Sequence, residues 1–207
     1  MIVGISGYAG SGKSTVAAHL VEHLDGAVEV NFADELRQMA IRMFGAAPHN
    51  VYGSHEGRNF TLPCGVTARE VLQQLGDSVR RVWPDSVVYA WANRLVEAYA
   101  EYGMVPIVVA DVRMRNEAEA IRSRGGIIIR LTRNADRKTE RRWIQEMLRW
   151  PGAPRRSRSG LNAAVAQHIT ERDLDRYAFD AVLDNAHMTV ADTNAEAMRI
   201  CREAGIV

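Results

Sequence analysis

Apolar residues in this chain follow two rhythms. Five short runs, residues 1–6, 27–32, 105–110, 126–131 and 181–184, are almost continuously apolar. Runs of this kind predict strands buried on both faces of a sheet. Between them apolar positions recur every three or four residues, the spacing of one helix face. Val16, Leu20, Val21 and Leu24 form such a set, as do Leu36, Met39, Ala40 and Met43. So do Val71, Leu72, Leu75 and Val79, then Val88, Trp91, Leu95 and Tyr99, and finally Ala195, Met198 and Cys201. Strands alternating with helices predict an α/β fold, a three-layer αβα stack around a five-stranded parallel sheet. Two segments break the rhythm. Residues 48–65, rich in Gly, Pro, His and Asn, read as a loop, and residues 150–160 form a basic stretch too irregular for the core. No internal repeat and no second core is visible, so residues 1–207 read as one domain.

The turn after the first strand carries chemistry. Gly7-Tyr8-Ala9-Gly10-Ser11-Gly12-Lys13-Ser14 matches GxxxxGK[ST], between an apolar strand and an amphipathic helix. Such a loop aims backbone N–H groups at one point, where the helix dipole also favours an anion. Gly7, Ala9, Gly10, Ser11, Gly12 and Thr15 would then line the phosphates of ATP. Lys13 would reach the β- and γ-phosphates and Ser14 would bind Mg²⁺. The third run ends in Asp111, an acid placed as in P-loop proteins to hold the same Mg²⁺. Arg113 and Arg115 follow at the edge where open α/β sheets bind ligands. Arg113 is expected to be functional, Arg115 a surface charge.

Something else must hold an acceptor. Phe32-Ala33-Asp34-Glu35-Leu36-Arg37 follows the second run on the same predicted edge. Asp34 could orient or deprotonate an attacking oxygen, or simply cap a helix, and Arg37 suits an anionic acceptor. Thr67 and Glu70 have the spacing of a capping box, which leaves Arg69 and Arg80 on that helix as candidates for a phosphate.

Composition narrows the classes. Lys+Arg 26 against Asp+Glu 25 gives no global field toward nucleic acid or an anionic membrane. Lysine occurs only at Lys13 and Lys138, and the arginine excess fits phosphate handling as well as it fits genome composition. Cys64 and Cys201 make neither a metal motif nor a disulfide framework, which suggests a reducing cytoplasm. No membrane span or signal peptide is read in the chain.

The order GYAGSGKST, FADELR, TAREVLQQLGDSVR, VVADVRMRNE, IIRLTR and ITERDLDRYAFDAVLDN resembles the deoxynucleoside monophosphate kinases of bacteriophages. It is similar, more distantly, to phosphomevalonate kinases and dephospho-coenzyme A kinases. The resemblance runs from Met1 to about Asn185. It implies a P-loop NTPase fold with an acceptor region over about 33–103 and a lid inserted over about 133–168. It implies ATP with Mg²⁺ as donor and a deoxynucleoside 5′-monophosphate as acceptor, with no membrane or nucleic-acid partner. Carried across, it assigns residues 7–15 to the donor phosphates, Asp111 and Arg113 to the centre of the site, and Arg69 to the acceptor. Arg137, Arg141 and Arg142 fall in the lid. Thr170 would cap the next helix with Asp173, and Asn185 would neighbour the donor adenine. A homodimer is compatible with all of this.

The mechanism expected is in-line transfer to an acceptor phosphate that is already a nucleophile. A general base is not required. Rival readings are another small-molecule phosphate kinase of the same fold, a switch or motor ATPase, and a nucleic-acid-binding module using Arg155, Arg156 and Arg158.

Overall fold

Five strands form one parallel sheet in the computed structural model, in the order β2-β3-β1-β4-β5. They are β1 (Ile2–Gly7), β2 (Val28–Glu29), β3 (Ile107–Val112), β4 (Ile127–Thr132) and β5 (Ala181–Asp184). The structure describes residues 1–8, 10–53, 55–132, 173–174 and 177–206. Register brings Ser6 of β1 opposite Val112 of β3, and Gly7 opposite Leu131 of β4. The carboxyl ends of these three strands therefore share one edge.

Helix α1 (Lys13–His23) and helix α8 (Val190–Glu203) cover one face. Val16, Ala17 and Leu20 of α1 and Ala197, Met198 and Cys201 of α8 join Val3, Ile5, Val108 and Ile129 in one buried cluster. Side chains alternate across a strand. Gly4, between Val3 and Ile5, accordingly meets Ile121 of helix α7 (Arg115–Arg122) on the other face. The outcome is a three-layer α/β arrangement, as the two rhythms of the sequence predict. The expected lid lies outside the described residues.

The chain divides into two compact units, Met1–Glu29 with Tyr102–Val207, and Val30–Glu101. No linker-like composition marks the second unit. It contains α2 (Asp34–Phe44), α3 (Pro48–Tyr52), α4 (His55–Arg58), α5 (Ala68–Val82) and nearly all of α6 (Ser86–Tyr102). Ala40, Ala46, Val51, Leu62, Ala68 and Val71 make its buried cluster. Among the described residues no helix is long and apolar enough to cross a membrane.

Three local expectations change. The second strand is only Val28–Glu29, because the backbone beyond it is committed to its own unit. Trp91 Nε1 donates to the Val30 carbonyl at 3.0 Å, and Asn31 N donates to Asp34 Oδ2 at 2.8 Å. Residues 48–65, read as a loop, include the one-turn helices α3 and α4. Pro48 opens α3, Asn50 accepts from Ala47 N at 3.1 Å and donates to the Gly57 carbonyl at 3.2 Å, and Val51 is fully buried. Polar composition does not forbid a turn whose side chains satisfy its own backbone. Helix α6 buries Val87, Trp91, Leu95 and Ala98, a face turned slightly from the one through Val88 and Tyr99.

Candidate functional site

The loop between β1 and α1 has the geometry its glycines allow. Gly10 and Gly12 sit at φ 80° and 94°, where any other residue carries a steric cost. A Cβ at Gly7 would come within 2.5 Å of Ser11 Oγ and 2.8 Å of the Leu131 carbonyl oxygen. The turn is thus pressed against the sheet. Helix α1 starts with no side-chain cap and no acid in its first turn, so nothing local competes with an anion there. Lys13 folds back, its Nζ donating to the carbonyls of Gly7 at 2.6 Å and Tyr8 at 2.7 Å. Ser14 and Thr15 are exposed.

The loop is held from behind. Asn185, 4% exposed just after β5, donates from Nδ2 to the Ser11 carbonyl at 2.9 Å. Its own N–H donates to the Thr132 carbonyl at 2.9 Å. Among the described residues, the buried atoms Ser11 Oγ and Asn185 Oδ1 find no hydrogen-bond partner. Arg130 is a further support that sequence reasoning missed. It is 5% exposed on β4, opposite Ser6, and its Nη1 donates to Ser6 Oγ at 2.9 Å. Its guanidinium lies 4.6 Å from the Tyr8 ring centre and 5.4 Å from that of Phe179, within range of cation–π attraction.

Asp111 is nearly buried at the end of β3, beside the strand that leads into the loop. Arg113 is half-buried, and its backbone is held by Glu117, a residue the sequence analysis did not single out. Glu117, 2% exposed, accepts from Arg113 N at 2.8 Å and Met114 N at 3.0 Å. Spacing of the kind seen in a capping box hinted at this, but Met114 stands where Ser or Thr would signal one. The Arg115 side chain is exposed, and its N–H donates to Asp173 Oδ2 at 2.8 Å. Asp173 thus serves the start of α7. Thr170, its expected capping partner, lies outside the described residues, as do Ala9, Arg137, Arg141 and Arg142.

The acceptor candidates Phe32, Asp34, Arg37, Arg69 and Arg80 belong to the second unit, whereas Arg113, expected both at the centre of the site and on the acceptor, belongs to the first. Phe32 is 2% exposed and packs on Trp91 with ring centres 4.7 Å apart, so it is a core residue. Ala33, not Asp34, is the N-cap of α2. Asp34 accepts from Arg37 Nη1 at 2.6 Å, in an ion pair whose side chains are each 11% exposed. Arg37 also lies 5.2 Å from the Tyr52 ring centre. Arg69 Nε donates to Asn59 Oδ1 at 3.0 Å. Arg80 folds over Gly76, where an added Cβ would sit 2.8 Å from its Nη1. The Thr67–Glu70 capping box forms, with Thr67 N donating to Glu70 Oε2 at 2.8 Å and Glu70 N donating to Thr67 Oγ1 at 3.2 Å. The Thr67 N–H, and the Thr67 hydroxyl that donates to the same Oε2 at 2.8 Å, hold the Glu70 carboxyl below its ordinary value.

No protein-family model matches the chain. It is similar to a protein of Acanthamoeba polyphaga mimivirus named "Putative deoxynucleotide monophosphate kinase". The two are 29% identical over 144 residues, 64% of this chain and 74% of the viral one. Among solved structures it is similar to a gluconokinase from Sinorhizobium meliloti 1021, with TM-score 0.48 and 21% identity over 99% of this chain and 93% of the other. It is also similar to a tunicamycin resistance protein of Deinococcus radiodurans, with TM-score 0.46 and 20% identity over 99% and 95% of the respective chains.

Proposed function

We propose that this chain transfers the γ-phosphoryl group of ATP to the phosphate of a deoxynucleoside 5′-monophosphate, giving ADP and a deoxynucleoside diphosphate. The observation that carries the reading is the glycine-formed loop at the carboxyl end of β1, with Lys13 at the start of an uncapped α1. The similarity to the viral protein supports the acceptor class.

In this reading a non-bridging oxygen of the acceptor phosphate bonds to the γ-phosphorus. The bond from that phosphorus to the β–γ bridging oxygen breaks, and ADP leaves with its electron pair. The protein's part is positioning and charge neutralisation. Lys13 exchanges its two carbonyl partners for β- and γ-phosphate oxygens. Ser14 and Asp111 offer hard oxygen donors that fit Mg²⁺, and a bound Mg²⁺ would offset the charge of the phosphates. Arg113, its backbone pinned by Glu117, serves the centre of the site. Arg37, Arg69 and Arg80 take the acceptor phosphate, and Arg137 and Arg141 the transferring group. Asn185, which braces the loop through the Ser11 carbonyl, would neighbour the donor base. Asp34, already paired with Arg37, orients that arginine; the acceptor phosphate needs no base.

The test measures ADP formation from ATP and Mg²⁺ against dAMP, dCMP, dGMP, dTMP and hydroxymethylated dCMP, with phosphomevalonate and dephospho-coenzyme A alongside. Formation driven by at least one deoxynucleotide is expected. ADP formation that only phosphomevalonate or dephospho-coenzyme A accelerates, or that needs no acceptor, overturns the assignment.

A further inference from the structure

We propose that His19, Glu22 and His23, on the last turns of α1, form a binding site for a divalent transition-metal ion of the Zn²⁺ or Ni²⁺ class. One ligand atom from each residue lies within 4.8 Å of the other two. Residues four apart on a helix stand one above the other, and the two imidazole rings face each other with centres 3.9 Å apart and planes tilted by 32°. Nδ1 of His23 lies 2.9 Å from the His19 carbonyl oxygen. A carbonyl oxygen only accepts, so Nδ1 carries the proton and Nε2 is the basic nitrogen. A backbone carbonyl fixing one ring nitrogen while the other binds metal is how ligating histidines are generally oriented. Glu22 Oε2 stands 3.9 Å from His23 Nδ1, on the protonated side of the ring, so the carboxylate turns toward Nε2 to join a bound ion.

The donor set decides the class of cation. Two imidazoles and one carboxylate suit borderline ions such as Zn²⁺, Ni²⁺ or Cu²⁺, whereas Mg²⁺ takes oxygen ligands. Glu22 and His23 are exposed and His19 is partly so. A cation can enter from solvent, and water completes its coordination. Ser14 lies nearer the other end of the same helix, along the axis about 7.5 Å from His19 and about 13.5 Å from His23 at 1.5 Å per residue. The site is therefore separate from the proposed Ser14 and Asp111 pair. A chelate across the final turn also closes the part of a helix that frays first, so metal binding should stabilise the protein.

The test titrates the full chain with ZnCl₂ and, separately, NiCl₂ by calorimetry in excess Mg²⁺, and follows thermal melting with and without each metal. Wild type and Asp111→Asn should bind one equivalent alike and melt higher with metal. His19→Gln and His23→Gln should each lose affinity by at least about tenfold, the lower end of what disturbing a metal site costs, and lose the metal-induced rise. Both variants change exposed or half-exposed side chains, and their melting without metal reports on folding. No binding by the wild type, or equal binding by the histidine variants, overturns the proposal. Binding lost in Asp111→Asn alone would move the cation to the donor loop, which also overturns it.

Discussion

Two residues show how single side chains set up the proposed donor site. Lys13 spends its ammonium on the Gly7 and Tyr8 carbonyls, so the loop carries its own cation until phosphate oxygens replace them. Lys13→Ala is expected to abolish ADP formation while circular dichroism and melting stay near wild type, since charge at the transferring group is worth several kcal/mol. Near-normal turnover in that variant would remove residues 7–14 from the donor role. Arg130 works one layer deeper, bonded to Ser6 and stacked on Tyr8 and Phe179. Arg130→Met keeps much of the bulk and deletes the charged hydrogen bond, a loss of about 1.5–3 kcal/mol. Denaturant unfolding should show that loss, and the KM for ATP should rise with little change in kcat, because the loop after Ser6 loses its backing. A lower stability with an unchanged KM would assign Arg130 to the core alone.

At the scale of elements, local hydrogen bonding is what the sequence announces most directly. Thr67 and Glu70 close the start of α5, and Thr189 and Asp192 do the same for α8. Thr67→Ala should cost about 1 kcal/mol at neutral pH. Glu70 is held below its ordinary carboxylate value of 4.5 first by the Thr67 N–H, which the variant keeps, and then by the Thr67 hydroxyl, which donates to Oε2 at 2.8 Å and which the variant deletes. A depressed folded value means this contribution is fully present above the unfolded value and lost as the pH falls below it. The stability gap between wild type and Thr67→Ala should therefore narrow on acidification below 4.5. A gap constant down to pH about 2 would show that the Thr67 hydroxyl takes no part in holding the Glu70 carboxylate. The same helix tolerates Gly76 in its middle, where glycine usually costs up to about 1 kcal/mol. The reason is occupancy: the Arg80 guanidinium and Leu36 Cδ1 fill the space a Cβ would need.

For the molecule as a whole, the proposed function gives each unit its own ligand contacts. Donor contacts are assigned to the unit of Met1–Glu29 with Tyr102–Val207, and acceptor contacts to Val30–Glu101. Hydrogen exchange read by mass spectrometry tests this. ATP with Mg²⁺ should slow exchange in peptides covering residues 7–16 and 111–113. A deoxynucleotide that serves as acceptor should slow those covering 34–37 and 69–80. Protection of 34–37 and 69–80 by ATP alone would reverse the assignment.

The sequence by itself determined most of the buried strands, the glycine-formed loop and the α5 cap. A strand buried on both faces demands an apolar run, a turn at φ 80° and 94° demands glycine, and a capping box spans only four positions. Each of these constraints is satisfied within a few residues, so a linear reading reaches it. Tertiary structure alone decided what stands behind the loop. Arg130 meets Ser6 across 124 positions, Asn185 meets Ser11 across 174, and Asp173 meets Arg115 across 58. It also shortened β2, where Val30 and Asn31 satisfy their backbone groups with Trp91 and Asp34 instead of with a neighbouring strand. A buried polar group must find a partner, but nothing in its own neighbourhood along the chain says which one. Only the packed fold brings that partner within 3 Å.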